Sequence, residues 1–301
     1  MDKLANDIRR MAAEKDAVIL AHYYVDGSIQ DIADYVGDSF YLAKVAKQVT
    51  NKTIVFCGVT FMGESAFILN PDKDILIPDP SAVCPMALMA GPDEIKKVRE
   101  EYDDLAVVCY INSMAATKEY CDVCVTSSNA LGIVKKLPQK NIYFIPDKNL
   151  GSWIAEQVPE KNFIFGKGYC HVHDIIDASD VEEFKSKYPG AKVLVHPECK
   201  IEVSHAADYV GSTSGIINYA TQSSDKEFIV CTEKGVLHEL QKQNPDKIFH
   251  FIDKDHCQNM HRMTLEDVAE CLREGSPKAF LDETTRVKAE QSLDRMLELA
   301  D

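Results

Sequence analysis

The sequence predicts an α/β protein of three homologous αβα domains with parallel sheets, in a pseudo-threefold arrangement around a central site. Two observations predict it. The stretch AVILAHYYVDGSIQDIADYVGDS at 17–39 returns as AVVCYINSMAATKEYCDVCVTSS at 106–128 and as KVLVHPECKIEVSHAADYVGSTSG at 192–215. Tyr110 follows His22 by 88 residues and His196 follows Tyr110 by 86; Ser127 and Thr213 follow Ser39 by the same two steps. A fixed period with matching residue classes marks a repeated supersecondary unit. Second, short apolar runs alternate with helical spacing, the pattern of βαβ units whose parallel sheets are covered by helices.

The elements follow in order. Leu4, Ala5, Ile8, Met11 and Ala12 give a helical spacing over 2–15. The first strand is expected at 18–21. Helix follows at 28–36, with Ile29, Ile32, Ala33 and Val36 on one face, and again at 40–49. Second strands are expected at 53–59, 141–146 and 227–232, each followed by a helix, at 63–69, 150–157 and 235–242. Third strands at 74–77, 162–165 and 248–252 each run into a loop with one cysteine: Cys84, Cys170 and Cys257. Helices at 92–102, 180–188 and 265–273 close the repeats. The expected domains are 1–104 (with the N-terminal helix), 105–190 and 191–276, and Ser276-Pro277 ends the third. A C-terminal helix occupies 277–301, with no docking partner assigned.

A chain of 301 residues can bury a core across two or three domains. The net charge of −15 argues against a nucleic-acid or acidic-membrane surface, which needs clustered Lys and Arg. It leaves room for a small anionic substrate in a locally positive pocket. The N-terminal stretch is charged and amphipathic, and no 18-residue apolar segment occurs, so neither a signal peptide nor a membrane span is expected and a cytoplasmic location is. Ten cysteines in such a chain are read as metal ligands or small buried residues rather than as disulfides.

In parallel α/β sheets, ligands sit beyond the carboxyl ends of strands. The first strands end in the pairs His22 and Tyr24, Tyr110 and Asn112, His196 and Glu198, each at i and i+2 and so turned to one side. These groups can transfer protons. Ser39, Ser127 and Thr213 end the helix of each repeat. They either cap the next helix or join its terminal amides in holding carboxylate or phosphate. Cys84, Cys170 and Cys257 occupy equivalent loops and point to a shared metal. Three thiolates with no evident fourth ligand suit an iron–sulfur cluster with one open iron, or a catalytic zinc; an open iron is a Lewis acid. Cys121 and Cys124 form a C-x-x-C, but the other copies have Ala33 and Ala207, Val36 and Val210 there, so the pair is read as packing on a helix face. Cys57, Cys109, Cys231 and Cys271 fall in strands and a helix. The role of Cys199, beside Glu198, stays open.

These residues lie in longer motifs: Ala21-His22-Tyr23-Tyr24, Gly37-Asp38-Ser39, Cys84-Pro85-Met86, Tyr110-Ile111-Asn112-Ser113, Pro146-Asp147-Lys148-Asn149-Leu150-Gly151, Cys170-His171-Val172-His173, His196-Pro197-Glu198-Cys199, Ala207-Asp208-Tyr209-Val210-Gly211-Ser212-Thr213 and Cys257-Gln258-Asn259-Met260. In this order they resemble the quinolinate synthase family over essentially the whole chain. The resemblance implies condensation of iminoaspartate with dihydroxyacetone phosphate to quinolinate, phosphate and water, in de novo NAD biosynthesis. It implies a 4Fe–4S cluster on Cys84, Cys170 and Cys257 whose fourth iron is a Lewis acid. Substrate contacts fall on His22, Ser39, Tyr110, Asn112, Ser127, His196, Glu198 and Thr213. Tyr24 and Glu198 are the implied acid/base pair, with His22 and His196 orienting carboxylates. Functional coupling to L-aspartate oxidase or aspartate dehydrogenase is also implied. Tyr23 and Gly63 depart from residues common in the family, Asn and Ala. A non-redox zinc enzyme and a non-enzymatic iron–sulfur sensor are the rival readings.

Overall fold

Three unbroken apolar runs become the inner strands of three sheets. The computed structural model describes residues 2–300. In the first sheet, β1 (Ala17–His22), β2 (Tyr35–Gly37), β3 (Thr53–Cys57) and β4 (Asp74–Leu76) lie in the order β2-β1-β3-β4. The second holds β5 (Leu105–Tyr110), β6 (Val123–Val125), β7 (Asn141–Ile145) and β8 (Asn162–Phe165) in the order β6-β5-β7-β8. The third holds β9 (Lys192–Val195), β10 (Tyr209–Val210), β11 (Glu227–Cys231) and β12 (Ile248–Phe251) in the order β10-β9-β11-β12. All pairings are parallel, and the register repeats: Leu20 faces Phe56, Val108 faces Phe144 and Leu194 faces Val230. Residues on β1, β5 and β9 are buried along nearly their whole length, as strands covered on both faces must be.

The second strand of each repeat follows the expected range closely; the helix expected at 28–36 does not. It spans only Gly27–Ile32, Ala33 turns extended, and Tyr35–Gly37 forms the edge strand β2. The other copies do the same, with helices Ala115–Lys118 and Ile201–His205 giving way to β6 and β10. Val36, Cys124 and Val210 are therefore strand residues rather than helix-face residues. The cause is an aspartate in each copy. Asp34, Asp122 and Asp208 accept the amides of Ile19, Val107 and Val193 at 2.8, 2.7 and 2.8 Å. Their own amides donate back to the carbonyls of the same residues at 2.9, 3.0 and 2.9 Å. This two-point clamp competes with helical hydrogen bonding and turns the chain into the sheet edge. Cys124 is fully buried and Cys121 half-buried, and Cys199 lies in the core of the third sheet, so packing accounts for all three.

The helices expected to close each repeat pack on the following sheet. Helix Pro92–Glu101 sends Arg99 to Asp122 at 2.9 Å. Helix Ala178–Lys187 packs on β11, with Val181 in the third core. Helix Leu265–Glu274 returns to the first sheet, against β3 and the N-terminal helix Asp2–Glu14. The C-terminal helix, Glu283–Leu299, docks on β6 and on helices Ala115–Lys118, Ala130–Lys136 and Thr60–Leu69, burying Ala289, Leu293 and Met296. It covers the edge of the second sheet: β6 is buried at every residue, whereas β2 and β10 are only partly so.

Candidate active site

Beyond the carboxyl ends of β1, β5 and β9 lies a narrow cavity. All twelve residues singled out by sequence line it: His22, Tyr24, Ser39, Cys84, Tyr110, Asn112, Ser127, Cys170, His196, Glu198, Thr213 and Cys257. It also takes in groups that sequence reasoning missed, among them Asp38, His173 and Glu233. His173 lies within a quoted motif. Its counterparts three residues beyond the other loop cysteines are Ala87 and Met260, so no echo drew attention to it.

The polar pairs are built alike in two copies. His22 Nδ1 accepts the Tyr24 amide at 3.1 Å, and His196 Nδ1 accepts the Glu198 amide at 3.4 Å. Burial pulls His22 down to about 4 and His196 to about 3, so both rings are neutral near pH 7. With Nδ1 accepting, the proton of each ring sits on Nε2. His196 Nε2 lies 3.3 Å from Ser127 Oγ, joining the third copy to the second. In the second copy, burial pushes the Tyr110 phenol well above its usual range, and Asn112 Oδ1 is buried without a hydrogen-bond partner among the described residues.

Capping does not account for the hydroxyls. Ser39 and Thr213 are each the first residue of a helix, one past its cap. The caps are Asp38, accepting the Tyr41 amide at 3.0 Å, and Ser212, accepting the Gly215 amide at 3.2 Å. Ser127 lies in the turn before helix Ala130–Lys136, where Asn129 Oδ1 takes the Thr126 amide at 2.7 Å. The hydroxyls of the three copies therefore meet the cavity beside helix N-termini.

Glu198 is 3% exposed. Burial alone would raise its carboxyl, but the His173 and His196 rings and hydrogen bonds from His173 and Tyr110 outweigh it and hold the carboxyl below its usual range. His173 Nδ1 is 2.8 Å from Glu198 Oε2. Tyr24 OH lies 2.8 Å from Thr213 Oγ1 and 2.9 Å from Thr232 Oγ1, and burial pushes its phenol well up. The acid form of Tyr24 and the base form of Glu198 thus coexist in one cavity.

Each loop cysteine opens the same turn. The amides of Ala87, His173 and Met260 donate to the carbonyls of Cys84, Cys170 and Cys257 at 3.1, 3.2 and 3.0 Å. The same three amides also favour the thiolate of each cysteine. Burial otherwise pushes Cys84 up to about 12, Cys257 to about 11 and Cys170 well above its usual range. Buried thiols with amides turned on them suit a cationic centre, which stabilises the thiolates that burial opposes. Cys170, His173 and Glu198 also form a compact donor group, with their ligand atoms within 4.8 Å of one another. Asp147, fully buried at the end of β7, fixes this region by accepting the amides of Leu150 at 2.7 Å and Cys170 at 3.2 Å. Among the described residues, no helix is long and apolar enough to cross a membrane.

Comparison with known proteins agrees across the chain. The family model described as NadA: Quinolinate synthetase A protein matches residues 6–298. A protein of Fusobacterium nucleatum named Quinolinate synthase is 52% identical over 293 residues, 97% of this chain and 98% of the relative. One of Clostridioides difficile with the same name is 49% identical over 303 residues, all of both chains. A third, from Clostridium perfringens, is 47% identical over 297 residues, 98% of this chain and 99% of its own.

Proposed function

The chain belongs to the quinolinate synthetase A family of enzymes, and from that membership we propose that it condenses iminoaspartate with dihydroxyacetone phosphate to give quinolinate, phosphate and water. The supporting observation is one cavity holding three equivalent cysteines beside a buried carboxylate and a buried phenol. Cys84, Cys170 and Cys257 would hold a 4Fe–4S cluster, which supplies a Lewis-acidic iron to a substrate oxygen or nitrogen.

The chain's own residues bind, orient and move protons. His22 and His196 present neutral Nε2–H donors to the carboxylates of iminoaspartate. Ser39, Ser127 and Thr213, beside helix N-termini, hold anionic groups without a lysine or arginine, which reconciles an acidic protein with anionic substrates. Asn112 Oδ1, buried and unpartnered, accepts from the substrate nitrogen. Glu198 takes protons and Tyr24 gives them in the enol–keto steps that follow condensation. The work is done in the cytoplasm, on iminoaspartate supplied by an L-aspartate oxidase or an aspartate dehydrogenase.

Anaerobically purified protein should be brown and should make quinolinate from the two substrates. Cys84→Ala should lose the colour. Glu198→Gln should keep it and lose activity by about 100-fold or more; normal turnover in Glu198→Gln would remove the proton-transfer role. The Cys170, His173 and Glu198 group favours a second reading, a mononuclear zinc enzyme. Colourless protein with stoichiometric zinc would establish that reading instead.

A further inference from the structure

The loop cysteines come from three different repeats, so a metal shared among them needs those loops held at a fixed spacing. Side chains outside the cavity hold them. Arg262, five residues after Cys257, reaches the loop that leads to Cys84. Its Nε donates to Asp79 Oδ2 at 3.1 Å and its Nη2 to Ser81 Oγ at 2.8 Å. Asp79 is fixed within that loop, its Oδ1 accepting the Ser81 amide at 2.9 Å and the Ser81 hydroxyl at 2.5 Å. Asp255, two residues before Cys257, reaches the loop of Cys170: its Oδ2 lies 2.9 Å from His171 Nδ1, while its Oδ1 accepts the His256 amide at 2.9 Å. The loops of Cys84 and Cys170 meet directly. A Cβ added at Gly168 would lie 3.0 Å from Met89 Cβ and 2.7 Å from the Pro146 carbonyl oxygen, so glycine is what lets them approach. Each loop is thus joined to the other two.

These bridges are not scaffold packing. The counterparts of Arg262 in the other copies are Met89 and Ile175, and those of Asp79 are Phe165 and Ile252, so the repeated fold does not ask for charge at either place. The Arg262 side chain is 51% exposed, and His171 and Asp255 are about one-third exposed. Ion pairs this open to water add little to folding stability. Their geometry does something else: a guanidinium that grips two groups of one loop fixes where that loop lies against its neighbour.

We propose that the bridge from Arg262 to Asp79 and Ser81 and the bridge from Asp255 to His171 clamp the three cysteine loops into one unit, presetting the spacing of Cys84, Cys170 and Cys257 for a shared metal. Arg262, Asp79, His171 and Asp255 are positioning residues, acting through the loops that carry the ligands. The inference rests on the reading of those cysteines as ligands made above, and it holds for a cluster and for zinc alike. Ligands ordered in advance bind more tightly, because less ordering is left to be done on binding.

Anaerobic titration of the cluster-free protein with Co²⁺ tests it, read from the sulfur-to-cobalt absorbance that Cys84→Ala should weaken. Arg262→Ala and Asp255→Ala should each raise the Kd for cobalt about fivefold while leaving the urea midpoint close to that of the wild type. Asp255→Asn, which can still donate to the His171 ring and accept the His256 amide, should return the Kd to within about twofold. Adding Asp79→Ala to Arg262→Ala should cost no more than Arg262→Ala alone, because the two act as one bridge. Binding within about twofold of wild type in both alanine variants would overturn the clamp. If the wild type bound no cobalt through sulfur, the reading of the cysteines as ligands would fail, and amide hydrogen exchange would still decide the clamp. Arg262→Ala should speed exchange about fivefold or more in both 79–90 and 253–263; unchanged exchange in 79–90 would show that Arg262 does not hold the Cys84 loop, and the proposal would fall.

Discussion

Asp208 is one of three aspartates that each hold a first strand to the helix-to-edge turn, and its removal leaves the Val193 amide without its partner inside the sheet. Asp208→Ala should cost about 1–3 kcal/mol in urea unfolding, and Asp208→Asn, which keeps an accepting oxygen, clearly less. Backbone and Lys192 hydrogen bonds hold the Asp208 carboxyl below its usual range against the opposing effect of partial burial, so its contribution is present at neutral pH and lost as pH falls through that lowered value. His22 and His196 act over a higher window. Their folded-state values of about 4 and about 3 lie below the 6.5 of a free imidazole, so the unfolded chain takes up protons that the folded one refuses. Stability of the cluster-free protein should fall as pH drops from about 6.5 towards 4, and His196→Gln should flatten that fall. Urea midpoints at pH 7 and pH 5 test it. Residues that recur were readable in the sequence, because His22, Tyr110 and His196 flag one another. His173 and Thr232 were not, because their counterparts are apolar and only the folded cavity shows what they touch.

Among elements, the inner strands were legible because an apolar run buried on both faces leaves little choice. The edge strands were not. Ile29, Ile32 and Val36 fit one helix face as well as they fit a short helix and a strand, and the deciding contact is Asp34 with a strand fifteen residues earlier. The C-terminal helix was visible as a helix, but its partner was not, since periodicity gives a face and not what the face meets. Leu293, fully buried where this helix lies over the second sheet, should cost about 2–5 kcal/mol when changed to Ala, read from the denaturant midpoint. Removing 283–301 should do more, because it uncovers the β6 edge and with it a template for strand pairing; light scattering on gentle heating would report the aggregation.

Across the whole molecule, the helix handed from each sheet to the next ties the three repeats together. Helix Ala178–Lys187 belongs to the core of β9 and β11, not to the sheet that precedes it in sequence. Fragments 1–104 and 105–190 should therefore be largely unfolded by circular dichroism, while the full chain unfolds in one transition; a folded fragment with a cooperative melt would contradict this. The first sheet waits longest for its cover. Its β3 face receives Leu265–Glu274, and β4 is tied by the amide of Ile77 to the carbonyl of Pro277 at 3.0 Å and by the carbonyl of Ile75 to the amide of Ala279 at 2.8 Å. A ribosome must therefore finish nearly the whole polypeptide before its opening segment can settle. During synthesis the earliest strands stay uncovered, and nascent chains stalled before residue 265 should engage chaperones that bind exposed apolar segments.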